Sequence, residues 1–166
     1  MSVQRLFLVD PYNDNHISMI HQFETENNII EKISASLGVL RASMKQETYQ
    51  ERKKDNNEID EDLFIEKNYK IEDMCHIHGE KDRKIAKITM APLEDKKKNR
   101  KLLSLATNYV FSSLDFEEVF VELKSSDKKL LSTLKSNGYE NLGEEDGKVI
   151  FLKDRENEKM IQRMIA

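Results

Sequence analysis

The spacing of apolar residues changes several times along this chain, and each change marks an element. Leu6, Phe7, Leu8 and Val9 make a short β-prone run within Arg5 to Asp10, which Pro11 and Tyr12-Asn13-Asp14 break before Asn15, a side chain suited to a helix N-cap. Ile17, Ile20 and Phe23, then Ile29, Ile30, Ile33, Leu37, Leu40 and Met44, recur at three and four residues, which predicts two amphipathic helices parted near Asn27-Asn28. Over residues 46–60 charges accumulate with almost nothing apolar to bury, so this stretch is predicted to be a mobile loop.

Alternation then replaces the helical period. Leu63 to Ile65, Ile71 to His78 and Ile85 to Met90 read as three strands of an antiparallel meander, separated by Asn68-Tyr69 and by Gly79 to Asp82. Pro92 ends the last of them, and Leu102, Leu103, Ala106, Val110, Phe111 and Leu114 return to a helical period, so a strand is expected to feed a helix through a basic loop. Val119 to Leu123 is apolar enough for a buried central strand. A short helix is predicted from Asp127 to Ser136, closed by Gly138 in the left-handed conformation that helix C-termini favour. Tyr139 opens the next strand, and Asp146-Gly147 is a hairpin signal ahead of Val149 to Leu152. In the charged tail, residues 154–166, Met160, Ile161, Met164 and Ile165 keep helical spacing, as a docked terminal helix or a homodimer contact would.

Composition narrows the class. The 166 residues, 38% of them hydrophobic and 35% charged, suit one mixed α/β domain with a single core under a heavily solvated surface. The apolar run near the N-terminus is too short for a signal peptide or a membrane span, so no membrane role is expected. Cys75 is the one cysteine, which rules out an internal disulfide and a cysteine metal cluster within the chain and suits a reducing, cytoplasmic location. A net charge of −4 argues against a surface built for nucleic acid. Lys96, Lys97, Lys98, Arg100 and Lys101 nevertheless crowd one short stretch, either as an anion-binding run or as a solvated basic turn.

The order β, α, α, β, β, β, α, β, α, β, β is that of the GNAT acetyltransferases, and Leu102 to Leu152 resembles them in residues as well. Leu-Leu-Ser-Leu-Ala-Thr-Asn-Tyr-Val-Phe-Ser-Ser-Leu followed by Glu-Glu-Val-Phe-Val-Glu-Leu looks like the family's third helix and fifth strand. Asp127 to Tyr139 is similar to its fourth helix, ending in Asn-Gly-Tyr. The resemblance implies a twisted, mostly antiparallel sheet with flanking helices and one strand-helix-strand crossover. It also implies acetyl-CoA as cofactor, held between the fourth and fifth strands, and a small-molecule or peptide amine as acceptor.

Carried over residue by residue, the resemblance places the cofactor against the backbone of Thr89, Met90 and Ala91. The family's glycine-bearing phosphate loop falls on Glu94-Asp95-Lys96-Lys97-Lys98-Asn99, where no glycine stands. Lys97, Lys98 and Asn99, with Arg100 and Lys101, are then the expected phosphate contacts. Asp127 stands where the family often has an Asn that orders the pantetheine arm, and is equally an ordinary N-cap. Leu134 stands where the family often has a Tyr that protonates the leaving thiolate.

Glu66 and Glu72, near the strands that line the acceptor groove in the family, are the candidate general bases, with Tyr109 and Tyr139 behind them. His76 and His78 share one face of a predicted strand, about 7 Å apart. They are either half a metal site, a general base, or exposed strand histidines; with no acidic ligand pattern to complete it, no metal is assigned. The leading function is an acetyl-CoA-dependent N-acetyltransferase. The alternative is a GNAT-fold binding or regulatory module without transferase activity, and a third reading, disfavoured by the net negative charge, is a nucleic-acid or acidic-partner binder acting through Lys96 to Lys101.

Overall fold

The computed structural model describes residues 4–28, 57–91, 96–124 and 128–156. The elements are β1 (Arg5–Leu8), α1 (Asp14–Glu26), β2 (Glu58–Lys67), β3 (Lys70–Glu80), β4 (Ile85–Met90), α2 (Lys96–Ser112), β5 (Glu118–Lys124), α3 (Lys128–Ser136), β6 (Glu140–Glu145) and β7 (Lys148–Asp154). The helix expected beyond Asn28, the stretch 46–56, Asp127 and the tail from residue 157 lie outside the described residues.

Seven strands form one sheet in the order β1-β2-β3-β4-β5-β7-β6. Every pairing is antiparallel except β4 with β5, the pair that α2 connects. A parallel pair needs a crossover of helix length, and the run from Leu102 to Phe111 supplies it. The mixed α/β class and the single crossover expected from the sequence are both present.

Each face of the sheet buries a different helix set. On one face α2 lays Leu102, Leu103, Ala106 and Val110 over Leu63, Cys75, Ile77, Ala86, Ile88, Val119 and Val121, and α3 adds Leu130 and Leu134. On the other, Ile20 and Phe23 of α1 cover Phe64, Ile71, Met74 and Ala91. The period of two makes this division, apart from a register shift between Ile65 and Glu66: Leu63, Cys75 and Ile88 point to α2, whereas Phe64 and Met74, which are paired, point away from it.

Several local expectations need correction. The N-cap of α1 is Asn13, whose side chain accepts from the amides of Asn15 and His16, because the helix must start early enough to bring Ile20 and Phe23 inward. Residues 58–60, assigned to the mobile loop, open β2 instead: Glu58, Ile59 and Asp60 pair with Glu80, Gly79 and His78. Their charges read as loop only because the polar positions of a strand look like loop when the partner is unknown. The basic run likewise is no loop from Lys96 onward, since α2 begins there. Gly138 takes the left-handed φ of 83° expected of it, and Asp146 and Gly147, at φ 53° and 77°, make the tight β6–β7 turn.

Gly79 is fixed by packing. A Cβ there would meet the ring of Phe116, buried between α2 and β5, and would lie 3.0 Å from the carbonyl oxygen of Ile85. Replacing Gly79 with Ala is expected to destabilise the fold by about 1–3 kcal/mol through overpacking. Urea unfolding measures this, and a midpoint equal to that of the parent would contradict it.

Candidate functional site

The parallel seam between β4 and β5 is short. Register runs from Ile85 with Glu118 to Ile88 with Val121 and stops, although β4 continues to Met90 and β5 to Lys124. Beyond Val121, β5 pairs with β7 alone, through Glu122, Leu123 and Lys124. The two central strands therefore part at their C-terminal ends and leave backbone groups facing a gap inside the sheet. Ala91 donates its N–H to the carbonyl of Met74 on β3, at 3.1 Å. Amides alternate along a strand, so the Met90 N–H turns the other way, toward the gap, where no β5 residue pairs with it. Buried or half-buried amides demand a partner, and the pairing with β5 supplies none for Met90 among the described residues. Of the three residues expected to offer their backbone, Met90 faces the gap while Ala91 is already bonded to β3.

The N-terminus of α2 stands over the same end of the sheet, where Asn99 in its first turn reaches the Ala91 carbonyl just past β4. Arg100, Lys101 and Ser104 on α2 face Ser132, Thr133 and Ser136 on α3, and Asn137 just past it, across a shallow cleft of about 510 Å³. Two cations and a set of hydroxyls make an anion-binding environment between the second and third turns of α2 and the C-terminal half of α3. Lys101 also reaches Gln4, whose amide in turn donates to Glu72 at 2.6 Å.

Asn99 departs from its expected role. It is fully buried, and its Nδ2 donates to both carboxylate oxygens of Asp73, at 3.0 and 2.9 Å, and to the carbonyl of Ala91, at 3.5 Å. The side chain thus pins the first turn of α2 to β3 and to the end of β4 instead of facing a ligand, while its Oδ1 has no partner among the described residues. Lys97 and Lys98 lie in that same helical turn. Leu134 is buried in the core over the α2 face of the sheet.

The carboxylates chosen as candidate bases sit at the β2–β3 turn, past the end of β4. Glu66 accepts from the Tyr69 amide at 2.9 Å, and Glu72 is held by Gln4 and lies 3.9 Å from Lys67. Both are engaged in holding that turn. Tyr109 is turned to the opposite seam, where its hydroxyl donates to Glu61 on β2 at 2.6 Å. Burial, and then the hydrogen bond and charge of Glu61, raise this phenol well above its ordinary range. Tyr139 is buried against Thr107, with its hydroxyl on the threonine oxygen. Cys75 is buried too, and burial first, then the charges of Asp73 and Asp62, push its thiol well up, so it is inert.

The histidines are not an exposed pair. His78 is half exposed, but the His76 ring is 13% exposed, with Nδ1 2.7 Å from Asp62 Oδ1 and Nε2 against Asp60. Asp60 and Asp62 are the residues that sequence reasoning missed. Their signal was present as Asp-x-Asp on β2 opposite His-x-His on β3, a match that is legible only once the register is known.

No protein-family model matches this sequence, and no curated protein matches it. Solved structures do. The spermidine N-acetyltransferase SpeG of Vibrio cholerae superposes with a TM-score of 0.67 at 16% identity, covering 97% of this chain and 98% of that one. FdhC, a nucleotide-linked sugar GNAT, superposes at 0.66 and 16% identity over 98% and 92%. The Campylobacter jejuni N-acetyltransferase PseH, solved in complex with acetyl coenzyme A, gives 0.61 and 12% over 92% and 99%. The chain therefore has the fold of the GNAT acetyltransferases over nearly its whole length. SpeG forms a dodecamer in one of its structures. No helix among the described residues is long and apolar enough to cross a membrane.

The raised Tyr109 phenol gives a pH test. Its neutral form is favoured in the folded state, so its stabilising contribution is complete below the ordinary phenol value of about 10 and is lost as pH rises above it. Replacing Tyr109 with Phe is expected to flatten the alkaline fall in stability between about pH 9 and 11. Urea midpoints across that range measure it, and parallel curves for the two proteins would contradict it.

Proposed function

We propose that the protein is an N-acetyltransferase that takes its acetyl group from acetyl-CoA and passes it to an amine. The observation that carries this reading is the gap between β4 and β5, with the Met90 amide turned into it and the α2 N-terminus above it. Acetyl-CoA would supply an activated thioester. The Met90 N–H is aimed to donate to a carbonyl oxygen in the gap, and such a donor is worth most when the oxygen gains negative charge. Arg100 and Lys101, with the hydroxyls of Ser104, Ser132 and Ser136, suit the phosphates of the cofactor. The α2 amides contribute the positive end of the helix. Lys97 and Lys98, in the first turn of α2, would be further phosphate contacts, and Asp127 a contact for the pantetheine arm. The neighbours in fold support an amine acceptor, since SpeG acts on spermidine.

One observation favours a second reading, a GNAT-fold binding module without transfer. The first turn of α2 holds Lys96, Lys97, Lys98 and Asn99 where a glycine loop would let backbone approach phosphate closely, and Asn99 is committed inward. Side-chain charge then replaces close backbone contact. A cytoplasmic location and assembly as a homodimer fit either reading.

Binding of acetyl-CoA is therefore expected to be salt-sensitive, since exposed ion pairs are screened over about 8–10 Å at physiological ionic strength. Replacing Arg100 and Lys101 together with Glu is expected to weaken binding at least about tenfold, each cation–phosphate contact being worth about 1.5–3 kcal/mol. Titration calorimetry at low and high salt checks both. Absence of heat at millimolar acetyl-CoA would remove the enzyme reading, whereas binding without acetyl transfer to any amine would favour the module.

A further inference from the structure

Two polar side chains are buried where β3, β4 and α2 meet. Asp73 on β3 is 1% exposed, and Asn99 in the first turn of α2 is fully buried. One carboxylate oxygen of Asp73 accepts from the Met74 amide at 2.8 Å, and both accept from Asn99 Nδ2, at 3.0 and 2.9 Å. The same nitrogen reaches the Ala91 carbonyl at 3.5 Å. A carboxylate and a carbonyl only accept, so Asn99 must turn its nitrogen to both of them. One of its N–H groups is shared by the two Asp73 oxygens and the other is left for Ala91, while Oδ1 has no partner among the described residues.

Such a pair is a costly way for a helix merely to pack. Leu102 and Leu103, in the next turn, are fully buried over the sheet without taking a polar group out of water. Asn99 and Asp73 bury a carboxylate, an amide and an orphaned oxygen, a desolvation that an apolar pair would avoid. What the polar pair adds is a donor to Ala91, the residue at which β4 leaves the sheet. β4 keeps register with β3 from Ile85 to Met90, while its register with β5 stops at Ile88. Ala91 is then tied twice to the β3 side, through its N–H by the Met74 carbonyl at 3.1 Å and through its own carbonyl by Asn99. Both ties hold the end of β4 away from β5, which keeps the two strands apart beside Met90.

Asn99 is also followed directly by Arg100 and Lys101, which line the cleft between α2 and α3. One side chain therefore joins the strand that carries the Met90 amide to the stretch of helix that carries the two cations. Resting on the acetyl-transfer reading, we infer that Asn99, braced on Asp73, is a positioning residue that fixes the distance between the Met90 N–H and the Arg100 and Lys101 cations. The ligand class that needs a fixed distance here has a carbonyl at one end and phosphates at the other, joined by an arm, as an acyl-CoA has. Two contacts on one ligand reinforce each other only when their spacing matches that arm. A loosened brace thus costs affinity for the whole ligand and little for either part.

The test compares the parent with Asn99→Leu and with the exchange of Asp73→Asn and Asn99→Asp in one chain. The first removes every bond of the brace. The exchange returns an amide and a carboxylate to the pair, so β3 and α2 can be joined again, but residue 99 then has no donor for the Ala91 carbonyl. Titration calorimetry is run with acetyl-CoA and with ADP, which brings phosphates without the acyl arm, and urea unfolding is run beside it. Acetyl-CoA binding is expected to weaken at least about tenfold in both variants, with ADP binding within about twofold of the parent. The exchange is expected to recover most of the stability that Asn99→Leu loses. Acetyl-CoA affinity that returns with stability in the exchange would overturn the inference, as would unchanged affinity in both variants or an equal loss for ADP. Amide exchange on the ligand-free proteins reads the brace by itself: the Ala91 amide is expected to exchange faster in both variants while Ile77 and Ile88 keep the parent's rates. An Ala91 amide as slow as the parent's would overturn it as well. Failure of the parent to bind acetyl-CoA would strike the functional reading, and the Ala91 amide would still decide the brace.

Discussion

The four-residue parallel seam between β4 and β5 is the constraint from which the rest of this molecule follows. A parallel pair forces a long crossover, and α2 is that crossover; its apolar stripe over Leu63, Ile77, Ile88 and Val121 closes the main core. Because the seam ends at Ile88 and Val121, the two strands separate and the Met90 amide is left facing space inside the sheet. The same crossover brings the positive end of a helix to that opening. Core, gap and basic cleft are thus consequences of one topological choice.

Stability and function meet at Asn99. The buried Asn99, which follows Lys96 to Lys98 in sequence, hydrogen-bonds Asp73 on β3 and the carbonyl of Ala91, so the first turn of α2 is fastened to β3 and to the end of β4. A buried carboxylate with two donors is held more firmly than a surface ion pair, which geometry and solvent both weaken. Fastening of this kind suits a site whose phosphate contacts come from side chains, since those contacts depend on where the helix begins.

Much of the fold was legible because the elements are marked by period. β4 is read at the bounds it adopts, since Ile85 to Met90 alternates and Pro92 stops it, and the Gly138 cap and the Asp146-Gly147 turn carry chemistry that few other residues supply. Errors fell where polarity replaced periodicity. Lys96 to Lys98 have no apolar member and so read as loop, although lysine is a good helix former. Glu58 to Asp60 read as loop because their strand faces a polar row. Reading the sequence pointed to residues 89–91, of which Met90 turns its amide toward the end of the β4–β5 seam while Ala91 is bonded to β3, and to Arg100 and Lys101, which line the cleft between α2 and α3. Hidden was the pairing of His76 with Asp60 and Asp62, which depends on a cross-strand register that no local pattern specifies.

Amide hydrogen exchange with and without acetyl-CoA tests the central claim most directly, because it reports on the backbone of the gap itself. The account predicts that acetyl-CoA slows exchange of the Met90 amide and of the α2 amides around Arg100 to Ser104, with little change at Ala91, whose N–H is already bonded to Met74. Binding of acetyl-CoA with Met90 exchanging as fast as before would contradict it.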